Sequence, residues 1–181
     1  MGHIGTILVL ILVIVVAIIY NILSAARNKV KREYASLDVQ LKKRWDLIPN
    51  LVETVKAYSV YEESTLQKLT TLRNQSFDSF KMEQKINVDQ NIAKVVFKMM
   101  GIAENYPELQ ADEAYLKLSE QLEKLETEIG NNRKEYNKAV QEYNTEIEKI
   151  PNNLVAILFG FNEEPFFQAN DEEKKSVKIN E

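Results

Sequence analysis

The residues best suited to chemistry are two tyrosine–asparagine pairs, Tyr136-Asn137 and Tyr143-Asn144. Seven residues apart on a helix, both tyrosines face one side and both asparagines flank it. Phenols and carboxamides in that spacing can line a ligand site with hydrogen-bond donors. The same spacing serves core packing with hydroxyls reaching the rim, and packing is the expected role. A second candidate is the acidic pair Glu62 and Glu63. Adjacent helical residues do not face one another, so these carboxylates do not converge as a dyad and read as a solvated face. The chain has no cysteine, which excludes disulfides, zinc fingers, iron–sulfur ligation and a thiol nucleophile. Its single histidine, His3, lies outside the segment expected to fold. That removes a Ser-His-Asp triad and most catalytic zinc sites. The sequence holds no glycine-rich phosphate loop, metal cluster or nucleophile–base set. No cofactor is expected, and carboxylate-only catalysis is the enzymatic route left open.

The elements that must carry these residues are helices. Gly and Pro number only 5 and 4 in 181 residues, too few for a turn-rich β fold. Residues 4–23 carry no charge, and twenty helical residues rise about 30 Å, the thickness of a bilayer core. Ile4, Leu8, Leu12, Val16, Tyr20 and Leu23 mark this membrane anchor, with Tyr20 at the interfacial end. A cleaved signal peptide would need a basic start and a shorter apolar stretch, so a retained anchor is expected. Met1 to Thr6 also fits a myristoylation pattern, but a chain that already spans the bilayer gains little from an acyl group.

Charge is unevenly placed. Between Arg27 and Arg44 stand seven basic and two acidic side chains, +5, against −9 for the rest of a chain whose net charge is −4. Arg27, Lys29, Lys31 and Arg32 form a basic collar beside the anchor. Such a collar points to anionic lipid rather than nucleic acid. By the positive-inside rule the flank after the anchor is cytoplasmic and the short N-terminus lies outside, at the cell membrane.

Beyond the anchor the apolar residues keep steps of three and four: Val30, Tyr34, Leu37, Leu41, Trp45, Ile48, Val52 and Val55. One rod leaving the membrane is the simplest reading, kinked but not ended at Pro49. The stripe resumes through Tyr58, Leu66, Leu69 and Leu72. Ser76 to Phe80 read as a connection, and Asp89 is placed as the cap of a second helix carrying Ile92, Val95, Val96, Met99 and Met100. A long heptad seam follows: Tyr115, Leu118, Leu122, Leu125, Ile129, Tyr136, Val140, Tyr143, Ile147 and Ile150, with a polar slot at Asn132 or Arg133. Pro151 ends it. Residues 154–161 form an apolar segment, expected to cap the end of the bundle, with the membrane surface or a partner as alternatives. The expected organisation is an anchor over 1–26, an elongated all-α helical domain over 27–168, and a polar, disordered tail over 169–181.

Four blocks in order resemble the LemA family. They are Arg44 to Tyr58, Glu104 to Ala111, Arg133 to Asn144, and Ile150 to Ala156. The resemblance covers residues 4–168. It departs from the family pattern where Tyr61-Glu62 stands for His-Glu and Leu72-Arg73 for Ala-Arg, so no histidine-based role carries over. Tyr115 stands where Phe is often found. The resemblance implies an antiparallel bundle of long helices on a single-span anchor, in a bacterial envelope protein without established catalytic activity. It also implies a loose association with envelope stress and membrane maintenance.

The function expected from all this is a non-enzymatic scaffold in the membrane. The alternatives are a receptor or adaptor for a peptide or membrane protease, and an enzyme subunit relying on carboxylates. Expected partners are membrane lipid, a second copy of the chain, and a further membrane protein; nucleic acid is not expected. Val30, Tyr34, Leu37 and Leu41, with Phe159 and Phe161, are the candidate interface, because an apolar stripe left exposed near the membrane seeks a partner.

Overall fold

A computed structural model describes residues 2–56, 76–103 and 105–167. Glu62, Glu63, the stripe from Tyr58 to Leu72 and the tail over 169–181 lie outside the described residues. Among those described there is no strand. The helices are α1 (Gly2–Lys56), α2 (Met82–Ala103), α3 (Pro107–Gln110), α4 (Glu113–Glu148) and α5 (Asn152–Phe159), with a 3-10 turn at Phe77–Ser79.

The chain divides into two compact units. One draws on Met1–Leu37 and Asn132–Gln168, the other on Asp38–Asn131. Helices α1 and α4 each contribute to both.

In the first unit the apolar span of α1 is exposed along Ile4, Leu8, Leu12 and Ile18, while Ile19 and Leu23 in its last turns are buried. The helix does not break at residue 26. It continues through buried Val30 and Leu37, opposite buried Tyr136, Ala139, Val140, Tyr143 and Ile147 of α4. Lys29 pairs with Glu142, and the Tyr34 ring meets the Tyr136 ring edge-on at 6.1 Å. Rising numbers on α1 against falling numbers on α4 make the two helices antiparallel here.

In the second unit α1 runs helically through Pro49, although proline leaves the Trp45 carbonyl without its usual partner. Ile48 before the proline and Leu51, Val52 and Val55 after it enter one core with Ile92, Val96, Met99 and Ala103 of α2, Leu109 of α3, and Tyr115 and Leu122 of α4. Fully burying each such side chain contributes about 1.5–3 kcal/mol. Trp45 is half-buried against this core, its ring 5.7 Å from Phe77 and 6.0 Å from Phe80.

Three expectations change. Asp89 does not start a helix: α2 begins at Met82, where Gln84 Oε1 accepts the Lys81 N–H at 2.9 Å, and Asp89 is buried in mid-helix. This is the returning half of a capping box, with Lys81 in the N-cap place. Ile150 leaves the heptad seam; it lies beyond the end of α4 and is exposed, because the helix stops at Glu148 before Pro151. Leu41 and Trp45 were read as consecutive points of the α1 stripe, but Arg44 takes the buried place between Leu41 and Ile48.

Candidate functional site

Two polar constellations stand out, one in each unit. The first grows from the tyrosine–asparagine pairs of α4. The chain after α5 runs back along α4 in extended form, and the pairs hold it by its backbone. The Tyr143 hydroxyl donates to the Asn162 carbonyl at 2.9 Å and the Tyr136 hydroxyl to the Pro165 carbonyl at 2.8 Å. Asn144 donates to the Glu164 carbonyl at 3.0 Å and accepts the Glu164 N–H at 3.0 Å. Asn137 does the same with Phe167, at 2.9 and 2.8 Å.

The repeat explains the fit. Seven helical residues rise about 10.5 Å, and three extended residues span about 10 Å. A step of seven on α4 therefore meets a step of three on the strap: 162 to 165 for the tyrosines, 164 to 167 for the asparagines. Each carboxamide satisfies both backbone groups of one residue, as a neighbouring strand would. Burial pushes both phenols up from their ordinary value, so they stay protonated as donors. The pairs are therefore neither simple core aromatics nor an open ligand site. They clamp the chain's own residues 162–167.

The strap fixes α5. Gly160 ends α5 at φ +70°, a left-handed conformation that favours glycine, and Phe161 N–H returns to the Ala156 carbonyl at 2.9 Å. Phe159 and Phe161 then meet the Tyr20 ring edge-on at 5.1 and 5.5 Å. The Arg27 guanidinium stands 5.9 Å over the Phe161 ring and 3.8 Å from the Glu164 carboxylate. The Arg133 guanidinium covers Phe167 at 4.5 Å.

The collar is thus divided. Arg27 and Lys29 are engaged within the chain, and the Lys29 hydrogen bond holds the Glu142 carboxyl below its usual range. Lys31 and Arg32 are exposed. The candidate interface is also divided. Val30, Leu37 and Leu41 are buried within the chain and Tyr34 is half-buried, so this stripe is not a free surface. The expectation of exposure overlooked α4, which covers the stripe close to the anchor. Phe161 is buried and Phe159 is half-exposed.

The second constellation surrounds Arg44 in the second unit. Its Nη1 lies 3.0 Å from Asp89 of α2, and its Nη2 contacts Glu126 of α4. Arg44 and Asp89 are each 2% exposed, whereas the Glu126 side chain is 55% exposed. Nearby, Lys85 Nζ bonds both Asp38 carboxylate oxygens at 2.8 and 3.0 Å and stands 4.6 Å over the Phe77 ring. The order of these pairs, 38 with 85 and 44 with 89, runs α1 and α2 in the same direction. Sequence reading missed this cluster. Its signal was a charge on each of two apolar stripes: Arg44 lies three after Leu41 and four before Ile48, and Asp89 lies three before Ile92. Among the described residues, no three histidine or carboxylate side chains gather as a metal site.

With this geometry established, comparison with known proteins gives the lineage. The LemA family profile matches residues 33–180. The chain belongs to the LemA family. Among similar proteins, Protein LemA of Metamycoplasma hominis is 25% identical over 166 residues, covering 89% of this chain and 74% of that protein. Magnetosome proteins MamQ 1 and MamQ 2 of Paramagnetospirillum magneticum are each 23% identical over 175 residues, covering 82% of this chain. The chain spans 64% of the length of these MamQ relatives. Three of the four resembling blocks of this LemA-family chain now have places: Arg44 to Tyr58 opens on the buried arginine, Arg133 to Asn144 carries the clamp, and Ile150 to Ala156 leads into α5.

Proposed function

We propose that this LemA-family chain is a single-span membrane protein of the bacterial envelope. It acts as a non-enzymatic helical scaffold, tied to membrane maintenance, with its helical region on the cytoplasmic side. The observation that carries the reading is α1 itself. One unbroken helix holds an exposed, uncharged apolar span over 4–18 and then contributes a buried stripe to each unit. Such an element transmits position from the bilayer into a packed domain. The exposed Lys31 and Arg32 favour a cytoplasmic flank. The polar groups described above are spent on holding helices and strap together, and none of the described sets is arranged as an acid–base or nucleophile pair.

A second reading, an adaptor for an extended peptide, draws support from the clamp on α4. It recognises main-chain groups at a fixed step, the means by which a strand-like peptide is held. Self-assembly through residues 30–41 loses its surface, which leaves the exposed face of the span as the apolar ground on which copies can pair in lipid.

The test uses the absence of cysteine. A Thr127→Cys variant, at an exposed position of α4, is treated with a membrane-impermeant thiol reagent. Resistance in intact cells with reaction after lysis supports the reading. Labelling in intact cells reverses the topology, and recovery of the full-length chain from the soluble fraction after alkaline carbonate washing overturns the anchor. Crosslinking in native membranes then separates a scaffold from an adaptor by the neighbour it captures.

A further inference from the structure

We infer that α5 is a second membrane contact: a short helix that inserts its outer face into the lipid interface beside the end of the span. The inference rests on α1 being a transmembrane anchor.

Helix α5 has two faces. Val155 and Ala156 are buried at 4% exposure each, whereas Leu154, Ile157 and Leu158 are 66%, 81% and 73% exposed. Ile150, just before the helix, is equally open. Positions 154, 157 and 158 follow helical spacing, so their exposure forms one stripe on α5. No charged residue occurs from Pro151 to Asn162. Single exposed aliphatics are ordinary, but a contiguous uncharged stripe marks an interaction surface.

The position of α5 identifies the occupant. Phe159 and Phe161, on either side of the Gly160 cap, pack on Tyr20. Tyr20 lies three residues before Leu23, the end of the apolar span, or about 4.5 Å of helix rise. An interfacial helix buries its apolar face about 5–10 Å into the headgroup and acyl boundary, which is the same depth. The two buried residues at the end of the span, Ile19 and Leu23, flank Tyr20 in sequence. The ring contacts with Tyr20 therefore hold the α5 stripe beside the end of the anchor. A protein partner docking there would have to compete with lipid, and the stripe offers no charge to select one.

The attachment is stiff. The Gly160 cap and the six hydrogen bonds of the clamp join α5 to α4, and the Arg27–Phe161 contact joins it to α1. The tyrosine–asparagine repeat thereby becomes a positioning device that holds a lipid-seeking wedge at the membrane surface.

The test is site-specific quenching with full-length protein in phosphatidylcholine–phosphatidylglycerol vesicles. Single cysteines at Ile157→Cys, Leu158→Cys, Leu10→Cys and Glu135→Cys are labelled with an environment-sensitive fluorophore, and quencher-bearing lipids are added. Leu10 reports the anchor. Glu135, exposed on α4 beside the Tyr34–Tyr136 contact, reports water. The expected result is quenching at 157 and 158 approaching that at 10 and several-fold above that at 135. Quenching at 10 with 157 and 158 no different from 135 overturns the inference and leaves the anchor intact. A disulfide between two copies through Ile157→Cys, without lipid quenching, assigns the stripe to a second copy and also overturns it. Absence of quenching at 10 instead defeats the anchor reading on which it rests. The variant Ile157→Asp/Leu158→Asp, placed on exposed positions that tolerate charge in the fold, is expected to abolish α5 depth when read from Leu154→Cys, with the Leu10 signal unchanged.

Discussion

Asp89→Asn is the most discriminating change in the second unit. It removes one charge from a pair in which Arg44 and Asp89 are each 2% exposed and 3.0 Å apart. Breaking a buried pair from one side costs about 3–5 kcal/mol, because the surviving charge remains desolvated. Glu126 still touches the guanidinium, so Asp89→Asn belongs near the lower end, about 3 kcal/mol. Arg44→Met strips the guanidinium from a carboxylate that cannot reach bulk water, and about 3–5 kcal/mol is expected. Glu126→Gln alters a half-exposed partner and should cost under about 1 kcal/mol. The double change Arg44→Met/Asp89→Leu removes both charges and should recover to within about 2 kcal/mol of the parent. Urea and thermal unfolding of the full-length protein in mild detergent, followed by far-ultraviolet circular dichroism, measures the four variants, and Asp89→Leu alone closes the double-mutant cycle with Arg44→Met. For a protein of this size 3 kcal/mol corresponds to roughly 6–12 °C in Tm. Equal losses for Asp89→Asn and Glu126→Gln, or a neutral Arg44→Met, would refute the burial argument.

Three further expectations concern the strap. The phenols of Tyr136 and Tyr143 hold their protons to higher pH in the fold than in the unfolded chain, chiefly through burial, so their contribution is complete below about pH 10 and is lost as pH rises beyond it; a fluorophore on Glu163→Cys should report strap release in alkali, and Tyr136→Phe should weaken the strap at neutral pH while flattening that alkaline loss. Asn137→Ala removes both bonds to Phe167 and should cost about 1–2 kcal/mol, read as roughly tenfold faster amide exchange over 162–167 with the second unit unchanged. Gly160→Ala meets no atom within 4 Å of the added carbon but must hold φ +70°, so a loss of about 1–2 kcal/mol is expected from backbone strain alone, measurable as faster exchange of the Phe161 amide.

Helical class, the apolar span and most of the α4 seam were legible because each depends on local periodicity. Hydrophobic spacing of three and four is a property of one helix, and it names the buried face before any partner is known. The same signal failed where burial depends on what lies opposite. Val30 and Leu37 looked available because the sequence does not say how far α4 reaches along α1. Arg44 looked like one more collar charge because a basic residue in a basic stretch reads as solvated. The matching acid on the stripe of α2, with Glu126 of α4, makes its burial tolerable, and the sequence pattern places Asp89 as a cap. Two opposite charges, each on an apolar stripe in a different helix, form a pattern that a helix-by-helix reading cannot weigh.

The tyrosine–asparagine repeat exposes a different limit. Its spacing was visible, and a helical reading assigned the tyrosines correctly to the inner face. The ligand was invisible because it is backbone, and backbone carries no sequence signature. What makes residues 162–167 fit is a numerical coincidence between two geometries, seven helical steps and three extended ones, which any six-residue segment free to extend and without proline at the two donating positions can satisfy. Selection of this segment over another therefore comes from its ends: Phe161 locked on Tyr20 and Arg27 at one side, Phe167 under Arg133 at the other. The clamp sets the register, and the two aromatic ends choose the chain. A structure that recognises backbone in the middle and aromatic rings at the ends ties α5 to the span without a single charged residue inside α5, which keeps that helix compatible with lipid.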